Sequence, residues 1–201
     1  YCDNPLRDPD LMAIPAYYAA DGTLTDGEAW VAIQSTTIVG TGTSVATFTS
    51  TDDGQVGDFS QYMDLVLIMY GVGGSGALKL FINNDTTANI YEQQQLYGDG
   101  SSVTALSGDE AYNYSLWMEA AGGTTFSSAI HQFFDINSGK YKSMLLQFAD
   151  DHDGSGYVGV IASTYKSQDP ITEIELQDYA GGILIDGSRY DLFGVLPRMV
   201  A

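Results

Sequence analysis

Apolar and polar positions divide the chain into short runs of strand length, separated by turn residues. Residues 63–70 are continuously apolar except for Asp64, while residues 77–82 alternate, setting Lys79 against Leu78, Leu80 and Ile82. Between them lies Gly71-Val72-Gly73-Gly74-Ser75-Gly76, a composition that no helix tolerates. Two apolar runs joined by a glycine loop predict a β-hairpin. The first run is too apolar to carry a wet face, so it is expected at the centre of a sandwich, covered on both sides. Asn83-Asn84-Asp85 offers side chains that close turns on their own backbone.

The same reading extends along the chain. Residues 30–35 and 44–49 predict two strands about a turn at Gly40-Thr41-Gly42, with Val45, Thr47 and Thr49 on one side. Residues 91–97 fit a helical turn or an irregular edge strand, followed by a turn cluster at residues 98–102. Further strands are expected at residues 112–120, with Tyr114, Leu116 and Met118 on one face, and at 127–134, 140–149 and 157–164. Residues 171–176 alternate, placing Glu173 and Glu175 opposite Ile174 and Leu176, and residues 190–195 close the domain. Turn signals every 8 to 14 residues or so are the spacing of a β-sandwich or jelly roll. The expected fold is therefore all-β, a jelly-roll-like antiparallel sandwich over residues 28–201. Residues 1–27, with Pro5, Pro9 and Pro15 among Leu6, Leu11, Met12, Ile14, Tyr17 and Tyr18, read as an extended N-terminal arm that lies on its own domain or on a neighbour.

Charge narrows the partners. The 201 residues carry 26 Asp plus Glu against 7 Lys plus Arg, a formal net charge of −19. Such a field repels nucleic acid and anionic membrane surfaces, so neither is expected as a partner. No run reaches the roughly 18 apolar residues of a membrane helix, and no segment reads as a signal peptide. The single cysteine, Cys2, has no partner for an internal disulfide and reads as a bystander thiol or an intermolecular bridge.

Chemistry-bearing constellations are weak. Asp151, Asp153 and Ser155 alternate as in the first half of a calcium loop, but the twelfth position is Ala162 where a Glu is needed. The EF-hand reading fails; the bland reading is an acidic turn meeting water, and a looser Ca²⁺ site is the lesser alternative. His131 and His152 stand 21 positions apart with no zinc-ligand spacing. Ser155 is only a turn neighbour of His152, and no nucleophile elbow occurs. Glu28, Glu92, Glu110, Glu119, Glu173 and Glu175 offer carboxylate pairs in number rather than in pattern. The loop at residues 71–76 lacks the lysine of a phosphate cradle. Tyr62, Tyr70, Tyr97, Tyr112, Tyr114 and Trp117 suit either core packing or a sugar-stacking face. No catalytic residue, cofactor or metal site is expected.

Two stretches together carry a resemblance. The first is Ile33-Gln34-Ser35-Thr36-Thr37, Thr47-Phe48-Thr49, Tyr62-Met63-Asp64-Leu65-Val66-Leu67, Leu80-Phe81-Ile82-Asn83-Asn84-Asp85 and Asn89-Ile90-Tyr91. The second is residues 170–176 followed by Gly187-Ser188-Arg189-Tyr190-Asp191-Leu192-Phe193-Gly194-Val195. This resembles a group of tailed-bacteriophage virion proteins, frequent in marine and cyanobacterial phages. Phe193 and Val195 replace the group's Tyr and Ile, and Asn84 is inserted before Asp85. The resemblance runs from about Trp30 onward, leaves out the arm, and rests on strand and turn patterns rather than on chemical signatures. It implies a non-enzymatic β-sandwich component at the particle surface. The expected role is a capsid decoration or cement protein held by the major capsid protein or other virion proteins, and a homotrimer on the usual preference for closed symmetry. The alternative is a tail fibre or receptor-binding module that recognises a host surface glycan.

Overall fold

The structure, a computed structural model, describes residues 30–72, 75–120, 125–151 and 156–196. The expected N-terminal arm lies outside these residues. The described residues form twelve strands: β1 (Trp30–Thr37), β2 (Val45–Thr49), β3 (Asp64–Gly71), β4 (Ser75–Ile82), β5 (Tyr91–Gly98), β6 (Val103–Glu110), β7 (Asn113–Ala120), β8 (Ser127–Phe134), β9 (Lys142–Asp151), β10 (Gly156–Tyr165), β11 (Glu173–Asp178) and β12 (Arg189–Val195). They form two antiparallel sheets packed face to face, the all-β sandwich expected from the sequence. The large sheet has the order β1-β12-β3-β8-β9-β10-β5-β6 and the small sheet β2-β11-β4-β7.

The expected hairpin at the glycine loop is not formed. β3 pairs with β12 and β8 in the large sheet, whereas β4 pairs with β11 and β7 in the small one. The loop is an arch from one sheet to the other, so Leu65, Leu67 and Met69 face the core opposite Leu78, Leu80 and Ile82, all fully buried. Apolar runs and glycines between them specify a reversal of direction; they do not specify whether the reversal turns within a sheet or across the core. β1 and β2 are likewise split between sheets, and Ile38 and Thr43 in their connection bond to Ser188 and Leu184 instead of to each other. Only β5–β6, β8–β9 and β9–β10 are consecutive pairs within a sheet; every other connection crosses. β3 lies third of eight, as its apolar content implies, but its outer face is only partly covered: Val66 is buried while Ile68 and Tyr70 are exposed.

One other expectation shifts, that for residues 91–97. Residues 91–98 are a regular strand, with Tyr91, Gln93 and Gln95 buried and Glu92, Gln94 and Leu96 exposed. On β7 the inward positions are Asn113 and Ser115, both fully buried, and Tyr114 stands on the opposite face. Asp85 closes its own turn through the Thr87 N–H, as expected. Asn83 instead reaches across the chain: its side chain donates to the Pro170 carbonyl and accepts from the Thr172 and Glu173 N–H groups at 2.8 to 3.1 Å. It thereby fixes the entry to β11.

Close packing is most demanding at Gly194, where β12 passes beneath the ring of the buried Tyr62, whose hydroxyl donates to the Val56 carbonyl at 2.7 Å. A Cβ at Gly194 would overlap Cδ1, Cε1 and Cγ of that ring. Gly194→Ala is therefore expected to cost about 1–3 kcal/mol through overpacking. Denaturant unfolding checks this, and an unchanged midpoint would contradict it.

Candidate functional site

The outer face of the large sheet is the feature that composition does not prepare for. Strand register aligns outward residues into rows running across the strands. One row contains Asp191, Ile68, Ile130, Gln147, Val160 and Leu96; the next contains Phe193, Val66, Gln132, Leu145, Ala162 and Gln94. Asp191 is the single charged residue among these twelve, and it is paired with the Arg189 Nε at 2.9 Å. Several members and neighbours are large apolar side chains open to solvent: Ile68 at 38%, Tyr70 at 51%, Leu96 at 49% and Val158 at 63%. A shallow trough of about 500 Å³ runs over β3, β8 and β9, floored by Ser128 and Ala149 and walled by Tyr70. The Tyr70 ring is held upright by stacking on Phe126, with centroids 4.8 Å apart.

Acidic residues sit elsewhere. Asp52, Asp53, Asp99, Asp169 and Asp186 are exposed in the connections between strands. Several are fixed by their own turns, as where Asp99 accepts from the Ser101 and Ser102 N–H groups at 2.7 to 2.8 Å. These bonds hold its carboxyl well below the usual range. Glu92 and Asp109, at one end of the large sheet, share Lys166 at 3.6 and 2.7 Å. A broad face with little charge and several exposed apolar side chains is the feature of this surface that stands out from a strongly acidic chain.

The carboxylates considered from the sequence do not converge. Glu92 and Glu110 lie on neighbouring strands but on opposite faces, and Glu173 and Glu175 follow each other along β11. Glu28 and the Glu119 side chain lie outside the described residues, as do Asp153, Ser155, His152 and the Asp151 side chain of the acidic turn weighed as a calcium loop. Among the described residues, no group of three or more His, Cys, Asp or Glu is placed to hold a metal ion.

Of the six aromatics considered for one sugar-binding face, the Trp117 side chain lies outside the described residues and the other five do not form one face. Tyr62 is buried under the large sheet's inner face, Tyr70 stands on its outer face, and Tyr97 packs edge-on against Tyr157. Tyr112 and Tyr114 do meet, joined by Tyr179, which the sequence reading missed because it lies outside any regular strand. Lys79 Nζ sits 4.8 Å from the centroids of both Tyr112 and Tyr179. No family model matches the chain, and no curated protein matches it.

Between the sheets, a polar seam joins β7 to the large sheet. The Gln93 amide donates to the Tyr112 carbonyl at 3.3 Å and accepts from the Tyr114 N–H at 3.2 Å. Asn113 Nδ2 lies 3.3 Å from His131 Nε2. An amide nitrogen only donates, so Nε2 accepts and the ring proton sits on Nδ1, which has no protein partner. Lys142 is also wholly buried. Its ammonium donates to the Ser138 and Lys140 carbonyls at 2.6 Å and to Gln168 at 3.3 Å, tying two connections together.

Burial pulls the His131 imidazole down to about 3. The unfolded chain binds that proton near 6.5 while the folded chain does not, so stability is complete at neutrality and falls as pH drops from about 6.5 toward 3. Between pH 7.5 and 5.0 this single group should remove about 2 kcal/mol. Denaturant unfolding at the two pH values checks it. His131→Leu should flatten the difference, whereas a difference unaltered by the substitution would contradict the assignment.

Proposed function

We propose that the chain is a non-enzymatic structural protein of a bacteriophage particle, a decoration or cement protein that lies on the head. The observation that carries this reading is the large sheet's outer face. Its eight strands at about 4.8 Å spacing span roughly 38 Å, and four alternating positions along each strand span about 20 Å. The product is about 750 Å², close to what one partner contributes to a stable protein interface of standard size. Apart from Asp191, which Arg189 pairs, charge that would oppose docking lies in the connections, at the sheet ends and on the small sheet, away from this face. The resemblance of the strand and turn patterns to tailed-phage virion proteins supports the same role.

A second reading is favoured by the Tyr112, Tyr114 and Tyr179 cluster on the small sheet. Aromatic rings with the Lys79 ammonium among them suit the apolar face and hydroxyls of a sugar, which would make the chain a receptor-binding module for a host glycan. In that case Tyr179→Ala abolishes binding on a glycan array.

Imaging purified particles that carry the chain decides between the two. Decoration predicts copies arrayed over the head lattice with β3, β8, β9 and β10 toward the shell. A few copies at the tail tip would move the role to receptor binding, and absence from every particle would overturn the phage reading. Val158→Lys, at an exposed position, should leave stability within about 0.5 kcal/mol and lower the occupancy on heads.

A further inference from the structure

A sandwich of two open sheets has four edge strands, and here three of them are blunted. β1 is bulged, its register with β12 slipping between Ala32 and Gln34. β2 is only five residues long. β7 is bulged twice, its register with β4 slipping between Ser75 and Ala77 and again between Leu78 and Lys79. Short strands and bulges are the devices that keep an edge from recruiting another chain. β6 has none of them. It pairs with β5 in unbroken register over all eight residues, Val103 to Glu110, and contains no proline and no lysine. Among the described residues no strand pairs with its other side, and Val103 and Leu106 are exposed at 74% and 48%.

We infer that β6 is the edge through which two copies of this chain join, antiparallel about a two-fold axis, into one continuous sheet. The two-fold fixes the choice of register. Residues directly opposite in an antiparallel pair share a face, so a residue on the axis must oppose its own copy. Centred on Leu106, the pairing sets Ser107 against Ala105, Gly108 against Thr104 and Asp109 against Val103 of the second copy. The apolar Leu106 meets itself, and no carboxylate opposes another. That separation matters between two chains of −19, and Lys166 already neutralises Asp109 at 2.7 Å. A parallel pairing would stack Asp109 on Asp109. A cationic peptide is a poorer fit, because the six residues from Val103 to Gly108 carry no charge for it to meet.

The outer face also continues across the join, through Leu96 and Ala105 of each copy, so the pair presents about twice the docking area of one chain. The pairing stands on the edge alone and does not depend on the particle reading. It makes a two-fold pair, rather than the expected trimer, the basic unit.

Light scattering of the full chain tests it. The expected mass is twice 21.6 kDa, falling to a single chain for Leu106→Glu and for Ser107→Lys, both at exposed positions. In a Cys2→Ser background, Leu106→Cys should cross-link into a disulfide dimer under mild oxidation, while Thr104→Cys, whose copies lie far apart in this register, should not. A monomeric wild type at tens of micromolar would overturn the proposal. So would a dimer or trimer that survives both edge substitutions. If Leu106→Cys and Thr104→Cys cross-link equally, the register is wrong.

Discussion

Every backbone N–H and C=O in a sheet needs a partner, and in an open sandwich that requirement is met everywhere except along the edge strands. Most of this molecule's organisation follows from how those edges are treated. Crossing connections carry successive strands to opposite sheets, so β3 and β4 each find two partners distant in sequence instead of pairing with each other. β12, the last strand, fills the place between β1 and β3 and leaves the large sheet complete from β1 to β6. Core packing then follows from the arch at the glycine loop, which puts the inner residues of β3 and β4 face to face. The polar seam at Gln93, Asn113 and His131 completes the closure, since the Gln93 amide bonds β7 backbone that no strand of the small sheet reaches on that side.

Charge is distributed by the same logic. Several carboxylates sit where the chain turns, because Asp accepts hydrogen bonds from its own turn, as Asp58, Asp85 and Asp99 do. Others stand on strands, as Glu173 and Glu175 do on β11, but apart from Asp191 the middle rows of the large sheet's outer face are built from apolar and amide side chains. An acidic chain therefore acquires a broad face with almost no charge without any local reversal of composition. Most of the charge and the large sheet's outer face are thereby separated in space.

Much of the sandwich was legible because alternation survives in its central strands. Ile174 and Leu176 against Glu173 and Glu175 sit as their pattern implies, and residues 127–134 form a strand as expected. Pairing was less legible. The run at residues 63–70 marks a central strand, but its neighbours β8 and β12 lie far along the chain, and no short-range signal names them. β5 was ambiguous because its inward residues Gln93 and Gln95 are polar, which inverts the expected pattern, and β6 went unread because Thr104, Ser107, Gly108 and Asp109 dilute its apolar content. The uncharged outer face could not be seen from composition at all. It exists only once register brings Ile68, Ile130, Val160 and Leu96 into line. The tyrosine cluster was half visible, with Tyr179 supplied from the turn after β11.

Hydroxyl-radical footprinting of the chain, isolated and on particles, tests the docking face most directly, because it reports side-chain exposure residue by residue. The account predicts that Tyr70, Leu96 and Val158 react freely in the isolated protein and become protected on the particle, while Tyr141 and Tyr179 react equally in both. Protection of Tyr179 with Tyr70 and Val158 left reactive would contradict it, and would place the contact on the small sheet instead.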